Sequence, residues 1–286
     1  MLSTILRTVV TIFLLIFPFL GGAFISKYSP YKEGNNMTDF IFVYGAFILV
    51  AAFILFYITC RFRSSFVQPT RPAVILFFIG LIMLGIAGLA APPDLGIKML
   101  EHPEREHCRY IILLIGAILF GLYFLDLFLN DRLQLKGAQK WIMILLFIIP
   151  MVELIWELLH HYSYPEGLKE WVGKGNKIED FNKNYDDRRV GTIGAIGRFL
   201  LFILILGLSV TLYKLRKTRI WNPILLSVFC ILGMASACTM FLFFNFQFQP
   251  EKALGFLFIF FIPGIPFILM YWIGAAMLTK KPGQIS

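Results

Sequence analysis

The segment Pro150-Met151-Val152-Glu153-Leu154-Ile155-Trp156-Glu157-Leu158-Leu159-His160-His161 puts two carboxylates and a histidine pair at the end of an apolar run that begins at Trp141. A helix turns about 100° per residue, so Glu153, Glu157 and His160 fall within roughly 60° of one another on one face. Acids inside an apolar span are costly unless paired, protonated or turned toward a cavity, which makes these side chains candidate proton- or solute-binding groups. Two carboxylates about 6 Å apart on a desolvated face can share a proton, because the first charge opposes the second ionisation. His160 and His161 would link them to bulk water near neutral pH.

The same residues admit a second chemistry. Glu157-Leu158-Leu159-His160 has the Glu-x-x-His spacing that presents two metal ligands from consecutive helical turns. With His161, and with His102 and His107 from an earlier loop, they form a candidate metal set. A catalytic zinc needs three protein ligands, and di-iron sites use two such motifs plus further carboxylates. One motif alone favours interfacial histidines over a bound metal, and no other cofactor is indicated.

A cation accompanies the acids. Arg198 lies eight residues into the next apolar run, which starts near residue 190 and must return across the bilayer. Eight residues correspond to about 12 Å, and Glu153 is also about 12 Å from His161. Equal depth on antiparallel neighbours predicts a Glu153–Arg198 ion pair, since either ion alone would be severely desolvated.

What must position these residues is a set of membrane helices. The chain is 58% hydrophobic and 15% charged, with a mean hydropathy of +0.77. A soluble domain is nearer half apolar and a quarter charged. The excess falls in runs at about 5–25, 39–60, 72–91, 109–129, 141–162, 190–213, 221–244 and 254–279. Runs of about 20 residues match a hydrocarbon core of roughly 30 Å, and the alternation of a barrel strand is absent. The expected fold is therefore all-α, a polytopic integral membrane protein of eight transmembrane helices, the first retained rather than cleaved.

The charges orient it. Thirteen of the 26 basic residues (Arg7; Arg61, Arg63 and Arg71; Arg132, Lys136 and Lys140; Lys214, Arg216, Lys217 and Arg219; Lys280 and Lys281) flank one set of ends, with only Asp126 and Asp131 nearby. The other thirteen are mixed with fifteen acids. The positive-inside rule then puts both termini in the cytoplasm, as in a bacterial inner membrane, with external loops at 26–38, 92–108 and 163–189. The net charge of +9 is thus topogenic and does not imply nucleic acid. Asp126 is expected to pair with Arg132 at the interface. Four scattered cysteines form no disulfide framework.

Similar residues recur in order. Ile144 to Pro150 echoes Ile12 to Pro18, and Pro223, Phe229 and Met234 echo Pro72, Phe78 and Met83. This suggests a 4+4 tandem repeat, dividing the chain into halves at 1–140 and 141–286. Mid-span in the last run, Pro263-Gly264-Ile265-Pro266 can break the helix and expose backbone to a cavity. Gly191, Gly194 and Gly197 permit a close helix contact.

Three functions fit these features. The first is transport, by a carrier or proton-linked transporter of a small solute, with Glu153, Glu157, Arg198, His160 and His161 in an outward-facing pocket. The second is an intramembrane enzyme, with or without a metal, acting on a lipid or prenyl substrate. The third is a scaffold or assembly subunit, in which the ion pair is structural. The partners are the lipid bilayer and a small solute or lipid substrate, with an oligomer compatible with any of the three.

Overall fold

A computed structural model describes residues 2–61, 70–89, 91–94, 96–181, 188–248 and 252–280. Arg63, Asp186, Asp187 and Lys281 lie outside the described residues. Among those described, all regular structure is helical. The long helices are α1 (Leu2–Ile25), α2 (Met37–Arg61), α3 (Arg71–Leu89), α5 (Pro103–Leu129), α6 (Ala138–Tyr162), α8 (Arg188–Lys214) and α9 (Trp221–Phe246), and each is long and apolar enough to cross a membrane. Short helices α4 (Ile97–Glu101) and α7 (Tyr164–Gly173) sit in the connections. A 3-10 segment, Lys252–Phe261, leads into α10 (Gly264–Leu278) at a bend of 68°, and the two parts count as an eighth span only if taken together.

The breaks follow from residue types. Pro103 opens α5 where its missing N–H costs nothing. Pro263 lies at the break between the two segments, and Pro266 falls in the first turn of α10, where its missing N–H has no helical acceptor. Pro18 lies inside α1 and deprives the Leu14 carbonyl of its helical donor. The Tyr271 hydroxyl donates to that carbonyl at 2.7 Å, and Trp272 Nε1 donates to the next one, Leu15, at 3.2 Å. A helix defect near the N-terminus thus docks α10, 257 residues later.

The core is built around α3, which packs against α1, α5 and α10. Small residues set the spacing: a Cβ on Gly80 would collide with the Tyr271 ring, and one on Gly85 with Tyr44. Helices α6, α8 and α9 form the other side, joined through the α5–α6 contact. One apolar cluster is continuous across residue 140. A smaller one, Met99, Tyr164, Leu168 and Phe181, caps the end at which all four histidines lie. We call this the histidine end, and the opposite one, carrying Arg132, Arg216, Lys217 and Lys280, the basic end.

The two halves do not pack alike, contrary to what a tandem repeat leads one to expect. α6 lies along α8, whereas α1 and α2 barely touch, and α1 lies along α3 instead. The reason is local. Gly191, Gly194 and Gly197 let α8 approach its neighbours closely, while Gly45 on α2 faces open space. α2 accordingly leaves Phe42, Leu49 and Phe53 exposed, a surface suited to lipid.

Candidate functional site

α6 turns Pro150, Met151, Glu153, Leu154, Glu157 and Leu158 inward. This face meets α8 where Gly194 and Gly197 remove the side chains that would hold the helices apart. The Glu153 carboxylate occupies that gap, so close to Gly197 that a Cβ there would overlap it. Arg198, the next residue of α8, is completely buried, at 0% exposure.

Its guanidinium pairs with Glu157, through Nη2 and Oε2, and not with Glu153 as matching depth predicts. The correction is one helical turn, about 5.4 Å toward the histidine end. An arginine side chain is long enough to reach a turn away from its own Cα, so backbone depth does not fix its partner. Glu153 is left buried with neither oxygen hydrogen-bonded, although Arg198 and Glu157 both act on it electrostatically. Arg198 Nε and Nη1 also lack hydrogen-bond partners. The guanidinium is covered by the Phe261 ring, 5.6 Å away, in a cation–π contact.

Phe261 ends the 3-10 segment, which forms one wall of a pocket of about 380 Å³ at the histidine end. Glu106, Tyr110, Glu157, His161 and Tyr164 supply polar groups to this pocket, and Phe258 and Phe261 supply apolar cover. Phe258, Phe261, Ile262 and Pro263, at and before the bend, line this cavity.

The histidines separate. The inward residues of α6 are centred about 80° around the helix from Glu153, which puts His161 near the middle of the buried sector and His160 just outside its edge, about 100° from the middle. His161 lines the pocket, stacks on Tyr110 and Tyr164, and approaches the Glu157 carbonyl at 2.8 Å through Nδ1. A carbonyl only accepts, so Nδ1 carries a proton and Nε2 is the nitrogen left for a ligand. His160 does not line the pocket: it stacks on the exposed Trp156 at 5.5 Å and meets the Tyr164 ring edge-on at 5.3 Å. The expected grouping of His160 with the two acids is therefore replaced by His161.

The candidate metal set also disperses. His102 contacts Glu104 at 3.3 Å, and His107 contacts Glu166 at 3.0 Å and stacks on Tyr162. Among the described residues no three His, Cys, Asp or Glu side chains converge as a metal site requires. His160, His161, Glu157, His102 and His107 therefore do not form one site, since no three of them converge.

A second polar cluster was not foreseen. Glu106, 1% exposed, accepts from the Tyr31 hydroxyl at 2.7 Å and from the Asp94 N–H at 2.8 Å, and lies 3.4 Å from Arg109 Nε. Arg109 Nη2 donates to the Tyr31 oxygen and to the carbonyls of Ala91 and Pro92. Burial pushes the Tyr31 phenol above its ordinary range, although Arg109 opposes this, so the hydroxyl stays a donor. The signal was available: Pro103 followed by Glu104 and Glu106 is a helix start, which brings Glu106 and Arg109 onto the helix at i and i+3.

At the other end, Asp126 pairs with Arg132 Nε at 2.6 Å, as expected. No family model matches this chain, and no curated protein or solved structure is significantly similar to it. The class rests on the fold itself: an all-helical protein with seven or eight helical segments suited to crossing a membrane.

Proposed function

We propose that this protein is a proton-linked carrier of a small solute, with eight spans, both termini cytoplasmic and the histidine end facing outward, in what would be the cytoplasmic membrane if the source is bacterial. The observation that carries the reading is Glu153: a buried carboxylate without a hydrogen-bond donor, one turn beneath the Arg198–Glu157 pair whose guanidinium Phe261 covers. A structural ion pair gains from full satisfaction, whereas a buried carboxylate left without a donor is a costly arrangement that protonation relieves. Arg198 contributes one positive charge against two carboxylates, so the cluster is neutral only with one proton on the acids.

In this mechanism the solute occupies the 380 Å³ pocket, where Tyr110, His161 Nε2 and Tyr164 provide hydrogen bonds and Phe258 covers its apolar side. Glu106 and Glu157 are already paired with Arg109 and Arg198, so the pocket walls are near neutral and suit a polar solute of low net charge. The 3-10 segment is the moving part. Shifting Phe261 uncovers the Arg198 guanidinium, and the bend at Pro263 supplies the hinge.

Two measurements test this whatever the solute is. Infrared difference spectroscopy of the reconstituted protein should contain a carboxylic-acid band that responds to pH and disappears in Glu153→Gln. Proteoliposomes under an inward proton gradient, screened with radiolabelled amino acids, sugars and monocarboxylates, should accumulate one class, and Glu153→Gln should abolish this while folding normally. Absence of the acid band together with no gradient-driven uptake would overturn the proposal. Labelling of Lys177→Cys by an impermeant maleimide in intact cells checks the orientation.

A further inference from the structure

The basic end has its own cavity, remote in the fold from the acids. It has a volume of about 170 Å³ and is lined by Thr70, Pro72, Arg132, Arg216, Lys217 and Lys280, with Leu127 and Met277 behind. Among the described residues no carboxylate lines it. Asp126, which accompanies the cations, is already held by Arg132. Lys217 Nζ donates to the Arg132 carbonyl. Lys280 is the anomaly: the residue is 7% exposed and its Nζ is buried without a hydrogen-bond partner.

A topogenic lysine needs only to reach water at the membrane surface, and its long stem ordinarily allows this. An ammonium turned into a cavity beside three other cations is a different arrangement. Burial and the neighbouring Arg132 push Lys217 below its ordinary range, and burial and Arg216 do the same for Lys280. The N-terminus of α3 opens at Thr70 and Pro72 and adds the positive end of a 19-residue helix.

We propose that this recess binds a phosphate-bearing anion, with Lys280 as its buried ligand and Arg216 and Lys217 completing the charge. At 170 Å³ it is smaller than the roughly 300–1,000 Å³ of sites for drug-sized ligands, so it takes a phosphate group and not a whole nucleotide. The phosphate belongs either to a lipid headgroup or to a soluble anion. The lipid source is supported by an apolar groove of about 430 Å³ between α1, α2 and α3, whose lining includes Leu278, two residues before Lys280. This site is independent of the transport reading.

The test uses the full chain in phosphatidylcholine nanodiscs, with thermal unfolding followed by tryptophan fluorescence. Millimolar inorganic phosphate is compared with chloride at matched ionic strength, and discs containing phosphatidylglycerol are compared with discs lacking it. A ligand that binds only the folded state raises the midpoint. A rise with phosphatidylglycerol alone identifies a lipid site, and a rise with inorganic phosphate identifies a soluble ligand. Either rise should vanish in Lys280→Met, and the variant should be at least as heat-stable as the parent in plain discs, because an unpaired buried charge has been removed. Lys217→Gln should weaken the effective affinity several-fold, which keeps the proposal testable if Lys280→Met fails to fold. No rise with either ligand, or a rise that both variants retain undiminished, would overturn it.

Discussion

Two buried acid–base clusters lie within the same histidine end, and they are built on opposite terms. In the Glu106–Arg109 cluster, Glu106 Oε1 accepts from Tyr31 and from the Asp94 amide, and Arg109 Nη2 donates to Tyr31 and to two loop carbonyls, so that within this pair only Arg109 Nε, 3.4 Å from Glu106 Oε2, goes without a hydrogen bond. In the Glu153–Glu157–Arg198 cluster one ion pair is made, while both Glu153 oxygens and two guanidinium nitrogens go without hydrogen bonds. Satisfied buried networks rigidify a structure, and unsatisfied ones mark strain or function. The first cluster ties loops to α5. The second lies between two spans, behind an aromatic side chain on a broken helix.

Removing Arg198 should have the largest effect. Arg198→Leu leaves two carboxylates buried together, at an expected cost of about 3–5 kcal/mol in chemical unfolding of the solubilised protein. Adding Glu157→Leu should recover most of that. If the single variant were no less stable than the parent, the pair would be solvated and the contrast between the clusters would collapse. Gly197→Ala comes next. Its Cβ overlaps the Glu153 carboxylate, and overpacking of this kind costs about 1–3 kcal/mol. Glu153→Ala in the same chain should relieve it.

Tyr31→Phe probes the Glu106–Arg109 cluster. It removes a donor from Glu106 and an acceptor from Arg109, and should cost about 1–2 kcal/mol with uptake unchanged. Glu153→Gln should reverse that pattern: stability within about 1 kcal/mol of the parent, since an amide replaces a carboxylate of the same shape, and uptake abolished. Equal loss of uptake in both variants would erase the distinction. The smallest effect is expected at Glu170, on the surface of α7. Lys174 Nζ donates to it at 2.6 Å, and this bond and charge hold its carboxyl below the ordinary range. A lowered carboxyl contributes above its unfolded value, and the contribution is lost as pH falls through the folded one. The group is fully exposed, so the difference in thermal midpoint between the parent and Lys174→Gln should not change between neutral pH and pH 5, which lies above both values of this carboxyl. An NMR titration should show the low midpoint and its return in Lys174→Gln.

The break at Pro263 to Pro266 and the close approach at Gly194 and Gly197 were legible, because proline and glycine act through backbone geometry that no neighbour can override. That Glu153, Glu157 and Arg198 share a neighbourhood was legible from depth alone. Their pairing was not, since depth locates a Cα and a guanidinium ranges a full turn from it. Glu106 was overlooked because the apolar run begins after it, although the helix begins before it. The repeated residue pattern in the two halves did not predict packing, since apolar segments resemble one another by composition whatever they touch.

What the amino-acid order alone decided is the class of molecule. Runs of some twenty apolar residues leave the backbone no hydrogen-bonding partner in lipid except itself, so helices follow whatever their neighbours are. Only the tertiary structure decided which sector of each helix faces inward. Adjacent positions differ by about 100°, and the rotation that admits His161 and excludes His160 is set by where α8 is thin enough to let α6 approach. The glycines of one helix thereby choose the working face of another, and no reading of either segment alone contains that choice.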